Sequence, residues 1–168
     1  MSHLDWSSYA VSVANATPPY PPEHDPAKAA AKRIMSALYP DVTISIDSSG
    51  EVTGVASFAP EKEHTGAPGW VQGGLSATVL DFVSARIAGA ALDSRIATGT
   101  LDLRYRQPVL IAGGPYEVRG SCLPTSSMTV RVRAAIMSAE GRPLVEANGL
   151  FIAVNRDDPD NVVPRTAE

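Results

Sequence analysis

The chain is poor in the residues on which many metal and disulfide sites depend. Among its 168 residues, one is cysteine and three are histidine. A single cysteine, Cys122, excludes an internal disulfide framework and a metal site built from several thiolates. Free cysteine is usually buried, so we interpret Cys122 as a small core residue and predict no metal site.

The chain also lacks an excess of positive charge. The formal net charge is −4 and the isoelectric point is near 5.3. Nucleic-acid binding without sequence specificity needs many cations to neutralise phosphates, so the composition argues against a nucleic-acid partner. Hydrophobic residues make up 44% and charged residues 19%, which excludes disorder for most of the chain.

No segment has the pattern of a signal peptide or a membrane anchor. The N-terminus lacks a basic region followed by an apolar run. Residues 73–92 are long and mostly apolar, but they contain Asp81 and Arg86 and many small residues. We therefore predict a buried helix in a protein without membrane contact, and we expect a cytoplasmic location.

The length fits one domain with two short flanking segments. Residues 1–25 are a proline-rich leader, 26–155 form a single domain, and 156–168 are a polar tail. Asp25-Pro26 has the residue types of a helix start, and this predicted helix ends before Pro40.

Six segments alternate apolar and polar residues, the pattern of a half-buried strand. They span 42–46, 52–58, 97–106, 116–123, 128–137 and 144–154. Most are joined by hairpin turns, so the sheet is predicted to be mainly antiparallel. Since the long apolar helix 72–92 must be covered, we predict an α+β fold in which a curved antiparallel sheet wraps around one central helix.

The fifth element, strand 97–106, has two predicted faces. Leu101, Leu103 and Tyr105 share one side. The other side carries the polar set Thr98, Thr100, Asp102, Arg104 and Arg106.

Asp81 is an acidic residue in the middle of the predicted helix 72–92. No cation stands three or four residues away, so no local ion pair satisfies the carboxylate. Helical spacing surrounds it with small residues, among them Gly74 and Ala77, which leave the space that a substrate pocket needs. An exposed acid at the helix edge, or one that caps a neighbouring backbone, explains the same pattern equally well.

The helix begins with Gln72-Gly73-Gly74. Glycine is a poor helix former, so its use here indicates that something approaches the backbone closely. Unpaired N–H groups at a helix start can polarise a carbonyl or stabilise an oxyanion. Close packing of the helix start on the sheet is the alternative. Nine residues separate Gln72 from Asp81, about 13.5 Å of helix, which favours a site completed by a second subunit.

Three segments carry a resemblance to a known family: GWVQGGLSATVLD, IATGTLDLRYRQPV and EGRPLVEANGLFIAV. Together they resemble the hot-dog fold thioesterases of the phenylacetate-degradation type, over roughly residues 42–154. The resemblance implies hydrolysis of acyl-CoA thioesters without a cofactor. It also implies dimers joined sheet edge to sheet edge, which usually pair into homotetramers.

The resemblance assigns roles to four positions. Asp81 matches the helix acid that acts as general base or nucleophile, and Gly73 matches the glycine whose N–H polarises the thioester carbonyl. Thr98 matches a hydroxyl residue that holds the water or the acid. Gln72 stands where many members have histidine. Gly66 is a departure, because several members have asparagine there.

Further residues are candidates for substrate binding. Trp70 and Tyr105 could line an acyl pocket or fill the core. Glu63 or His64 in the preceding loop could replace the missing asparagine. Arg104 and Arg106 could contact CoA phosphates, since guanidinium groups suit them; a solvated or inter-subunit sheet face is the alternative.

Two other functions compete with thioester hydrolysis. A hot-dog dehydratase or hydratase pairs an acid with a histidine, and no histidine follows His64. A non-catalytic acyl-CoA-binding hot-dog protein fits the missing asparagine. A purely structural module would leave Asp81 unexplained.

Overall fold

The computed structural model describes residues 36–124 and 126–154. The proline-rich leader, the start of the first predicted helix and the polar tail lie outside the described residues. Residues 36–38 are helical, and the buried Leu38 packs into the core.

Six strands and one long helix make up the described fold. The strands are β1 (Val42–Ile46), β2 (Val52–Phe58), β3 (Ile96–Tyr105), β4 (Tyr116–Cys122), β5 (Thr129–Met137) and β6 (Pro143–Ala153). The helix α1 spans Gly73–Leu92, and short 3₁₀ helices occupy Lys62–His64 and Ile111–Gly113. Strong period-two alternation explains why the predicted strands agree with these bounds to within about one residue at most ends.

All strand pairs are antiparallel, in the order β1-β2-β4-β5-β6-β3. The predicted hairpin of β1 and β2 is confirmed. Its turn is held by Asp47, whose Oδ1 accepts hydrogen bonds from the Ser49 and Glu51 backbone N–H groups. The Ser49 hydroxyl also donates to Asp47 Oδ1. This side-chain bond lowers the pKa of Asp47 the most, and the backbone bonds lower it further. β3 is an edge strand, although it follows α1 directly in the chain.

The helix α1 packs against all six strands, so the predicted sheet wrapped around one helix is confirmed. Its length and hydropathy would suffice to cross a membrane, but here it is the core helix of the sheet. The buried stripe contains Val79, Leu80, Val83 and Ile87. Leu80 completes the predicted stripe, whereas Phe82 is half-buried and packs edge-on against Tyr39.

The opposite face of the sheet is polar. A groove of about 950 Å³ crosses it, lined in part by Arg104, Arg106, Arg119 and Arg133. Arg106 Nε donates to Glu146 Oε2 at 2.7 Å, and both side chains are partly exposed. We call this surface the outer face, and the surface that covers α1 the inner face.

Candidate active site

Asp81 lies half-buried at the centre of α1, beside the edge strand β3. The hydroxyl of Thr98 donates a hydrogen bond to Asp81 Oδ1 at 3.0 Å. The other carboxylate oxygen has no hydrogen-bond partner among the described residues. One oxygen is therefore fixed by β3 while the second is free to accept a proton or to attack.

The prediction that Thr98 shares a face with Thr100 and Asp102 is wrong, because β3 contains a bulge. Thr98 pairs with Phe151 and Thr100 pairs with Leu150, so Gly99 is an extra residue in β3. The extra residue shifts the alternation by one and turns Thr98 to the inner face, opposite the buried Phe151. The bulge is the reason that the Thr98 hydroxyl reaches the helix.

Gly99 is the residue in the sequence that indicates the bulge, and the alternation of apolar and polar residues did not take it into account. A glycine inside a strand often marks a bulge or a close backbone approach. A Cβ at this position would lie 3.1 Å from Ile152 Cδ1 and 3.3 Å from the Leu150 carbonyl oxygen. The close neighbours explain why a residue without a side chain stands there.

The helix start has two free backbone donors. Gln72 is the N-cap residue, and its Oε1 accepts a hydrogen bond from the Leu75 N–H at 3.0 Å. The N–H groups of Gly73 and Gly74 have no acceptor in the described part of the chain. A Cβ at Gly74 would lie 2.9 Å from Gln72 Oε1, so the Gln72 side chain folds over this glycine. Its amide nitrogen would lie 3.3 Å from the same Cβ, so the NH₂ group lies beside Gly74.

Local packing also explains why a glycine stands at position 66. A Cβ there would lie 2.9 Å from the Gln72 Cα, and the Gly66 N–H donates to the Trp70 carbonyl at 2.9 Å. A larger residue such as asparagine would need the backbone at Gln72 to shift. The loop is thus built around a residue without a side chain.

The side chain of His64 lies inside the protein. Its side chain is fully buried, and its Nδ1 accepts a hydrogen bond from the Glu61 N–H at 2.7 Å. Its carbonyl accepts a hydrogen bond from the Gln72 N–H at 2.8 Å. The residue thus anchors the loop that leads into α1, and in this arrangement it exposes no surface to a substrate.

Two aromatic side chains flank the helix start. Trp70 and Tyr105 are about half exposed, at 49% and 50%. The Tyr105 hydroxyl donates to the Gly73 carbonyl at 2.8 Å. Ala77 is half-buried one turn before Asp81, so it lies between the helix start and the acid.

The structure separates Arg104 and Arg106 from this group of residues. Both line the outer-face groove, on the side of the sheet opposite α1. Arg106 pairs with Glu146, whereas Arg104 makes no ion pair within the described residues. No cluster of three His, Cys, Asp or Glu side chains that could hold a metal ion occurs in residues 36–124 and 126–154.

Comparison with known proteins identifies the fold. No family model matches the chain, and no curated protein matches its sequence. Solved structures do match. One is a phenylacetic acid degradation-related protein from Ralstonia eutropha JMP134, with a TM-score of 0.57 at 19% identity; the match covers 86% of this chain and 98% of that one.

Two further structures add to this. A thioesterase superfamily protein is 28% identical with a TM-score of 0.54, over 67% of this chain and 54% of that one. A protein from Streptococcus mutans UA159, bound to acetyl CoA, is 13% identical with a TM-score of 0.55, over 70% and 91%. The chain therefore has the hot-dog fold, and its resemblance to thioesterase-superfamily proteins is confirmed at the level of the fold.

Proposed function

We propose that the protein hydrolyses acyl-CoA thioesters, with Asp81 as the catalytic carboxylate. The observation that carries the proposal is the state of this side chain. One oxygen accepts the Thr98 hydroxyl at 3.0 Å. Within the described residues, the other oxygen is unpaired and no cation forms an ion pair with the carboxylate. A half-buried acid held in this way is suited to act on water or on an acyl carbon.

The reaction needs no metal or organic cofactor. In the general-base route, Asp81 takes a proton from water while the hydroxide oxygen bonds to the acyl carbon. The C–S bond then breaks, and the thiolate leaves and takes up a proton. In the nucleophilic route, a carboxylate oxygen attacks instead, and water hydrolyses the resulting anhydride.

The free N–H groups at the start of α1 supply the electrophilic half of the site. Gly73 and Gly74 would donate to the thioester oxygen as it gains negative charge, aided by the positive end of the helix dipole. Removal of one such donor typically costs about 10²–10³ in rate in other enzymes. The Gln72 amide NH₂ is a third donor at the same place.

One subunit does not bring the two halves of the site together. Gly73 and Asp81 are eight residues apart, or about 12 Å along the helix axis. β3 is the last strand of the sheet, and among the described strands it pairs only with β6. Its other edge, ten residues long, is open within the described part of the chain. Pairing of two such edges would make a dimer in which Asp81 of one copy works with the helix start of the other. Dimers of this kind would then pair into a tetramer.

The remaining candidate residues divide between the two ends of the substrate. Gly74, Ala77, Trp70 and Tyr105 surround the helix start and would contact the acyl and thioester portion. Arg104 makes no ion pair in the part of the chain that the structure describes, so its guanidinium could bind a CoA phosphate where the substrate leaves the site. Arg106, already paired with Glu146, and the buried His64 are the weaker candidates for substrate contact.

The proposal is tested by thiol release from aryl, short, medium and long acyl-CoAs, with binding of each ester measured in parallel. Turnover of at least one ester, with CoA and free acid as products, is the expected result. The same panel decides which acyl group the site accepts.

A non-catalytic acyl-CoA-binding protein is the second candidate, favoured by the side-chain-free loop at Gly66. In that case esters would bind at micromolar concentration but remain intact over hours. Neither binding nor turnover on any ester would contradict both candidates.

A further inference from the structure

Two hydrogen bonds connect α1 to β3, and the proposed mechanism uses one of them. Thr98 reaches Asp81, and Tyr105 reaches the carbonyl of Gly73 at 2.8 Å. The residue numbers rise along α1 as they fall along β3, so the two elements run antiparallel. The bonds therefore lie at different places along the helix, one at the acid and one at the backbone donors.

The Tyr105 hydroxyl must be the donor in its bond, because a carbonyl oxygen can only accept. In a regular helix the Gly73 carbonyl also accepts the N–H of the residue four positions later. The phenol is thus an additional donor to an oxygen that the helix already uses. A bond of this kind is not needed to satisfy the backbone.

The carbonyl of Gly73 and the N–H of Gly74 belong to the same peptide group. A hydrogen bond donated to the carbonyl draws electron density from the nitrogen and makes the N–H at the opposite side a stronger donor. That N–H points out of the helix start, where Gly74 has no acceptor in the described residues. Tyr105 therefore acts on one side of a peptide whose other side faces the proposed substrate carbonyl.

The aromatic ring also limits the movement of this peptide. A Cβ at Gly73 would lie 3.5 Å from Tyr105 Cε1 and 3.6 Å from its Cζ, so the backbone of Gly73 rests on the ring. Contact with the ring and the hydroxyl together hold the first turn of α1 against the end of β3. Without them, two consecutive glycines would leave the donors loosely oriented.

The contacts of Tyr105 indicate a more specific role than lining an acyl pocket. We infer that Tyr105 is a positioning residue for thioester hydrolysis, which orients and polarises the Gly73–Gly74 peptide so that the Gly74 N–H stabilises the oxyanion. This inference rests on the proposed function, since it concerns a donor to the same thioester carbonyl. Tyr105 need not contact the substrate to have this effect.

Tyr105→Phe keeps the ring and removes the hydroxyl, which makes it the appropriate variant. We expect kcat to fall about 10-fold with KM changed less than about 3-fold, because the Gly74 N–H remains but is weakened. Tyr116→Phe is the matched control, since the Tyr116 hydroxyl donates to the Leu110 carbonyl at 2.9 Å in a loop of the chain. Loss of that bond should affect stability and leave kcat unchanged.

A spectroscopic measurement separates polarisation from structural support. In a ketone analogue of acyl-CoA, with CH₂ in place of sulfur, a ¹³C-labelled carbonyl reports donor strength through its infrared stretch. We expect this stretch to shift to lower frequency on binding to wild type and Tyr116→Phe, and to shift less in Tyr105→Phe. Equal shifts in all three proteins would overturn the role of Tyr105 alone, whereas no shift or no binding in wild type would overturn it together with the proposed function.

The pH dependence gives an additional readout. Burial raises the pKa of Tyr105 above its ordinary value of 10, and a tyrosinate cannot donate to a carbonyl. Below that pKa the bond is present, and above it the bond is lost. Wild-type kcat, corrected for spontaneous hydrolysis, should therefore decline at alkaline pH with a component that Tyr105→Phe lacks; identical profiles would contradict the inference.

Discussion

The two faces of β3 use their polar side chains in different ways. On the inner face, Thr98 and Tyr105 each donate a hydrogen bond to α1, at Asp81 and at Gly73. On the outer face, Thr100, Asp102 and Arg104 follow one another in regular alternation, and none of their side chains has a hydrogen bond or ion pair within the described residues.

The two faces therefore carry polar side chains for different reasons. An antiparallel sheet with one solvated face carries polar residues there without further cause. A polar residue on the face that covers the helix can instead reach a partner on the helix, as Thr98 and Tyr105 do. The inner-face residues of β3 have such partners, and both partners belong to the proposed site. Substitutions on the inner face should therefore change chemistry, while those on the outer face should not.

The largest expected effect is that of Asp81→Asn. The amide keeps the shape of the side chain but can neither accept a proton from water nor attack an acyl carbon, so kcat/KM should fall about 10³-fold. Asp102→Asn makes the same chemical change on the outer face and should stay within about 2-fold of wild type. Steady-state thiol release by the two variants measures both; similar losses would remove the distinction between the faces.

Thr98→Val should have the next largest effect. Valine preserves the shape while removing the donor to Asp81 Oδ1, so the carboxylate loses its fixed orientation and kcat should fall about 10-fold. Thr98→Ser should restore most of the activity. Thr100→Val, two residues along β3, is the control and should have wild-type kinetics; a loss as large as that of Thr98→Val would show that general strand stability is the cause.

Two substitutions of Gln72 can separate its role as the helix cap from its role as an amide donor. Gln72→Ala removes the acceptor for the Leu75 N–H and should lower the free energy of unfolding by about 1 kcal/mol. Gln72→Glu keeps an acceptor at the helix start but loses the NH₂, so stability should be maintained while kcat/KM falls several-fold. Urea unfolding and thiol release on the same preparations test this, and full activity in Gln72→Glu would leave Gln72 as a cap alone.

Arg104→Gln should have the smallest effect. A single exposed contact to a CoA phosphate would be screened by salt, so KM should rise about 3-fold at low ionic strength and less at high salt, with kcat unchanged. Arg119→Gln, on the same outer face, is the control. A KM that is identical in Arg104→Gln and wild type at low salt would assign Arg104 to the solvated face.

Local patterns were sufficient to predict most of the fold. The bounds of β1 and β2 were predicted from alternation, and α1 begins one residue later than predicted because Gln72 is its cap. The resemblance to a family supplied the pair of Asp81 and Thr98, whereas alternation alone placed Thr98 on the side of the strand opposite Leu101, Leu103 and Tyr105. The burial of His64 could not be predicted, because a loop histidine has no period that reveals where its ring points.

Contacts between segments far apart in the chain could not be predicted from the sequence patterns. β3 lies beside β6, and their pairing joins segments about fifty residues apart. The bond between Tyr105 and Gly73 depends on this arrangement, since it requires the end of β3 to reach the start of α1. Gly99 did carry a local signal, but the register is needed to show that it is a bulge.

The most direct test of the account is a single-turnover experiment with Asp81→Asn. The variant is placed in excess over an ester that wild type hydrolyses, and both bound ester and released thiol are followed with time. The account predicts that Asp81→Asn binds the ester with wild-type affinity and leaves it intact for about 10³ wild-type turnover times. Thiol release at the wild-type rate by the variant would contradict the role of Asp81 and, with it, the proposed site.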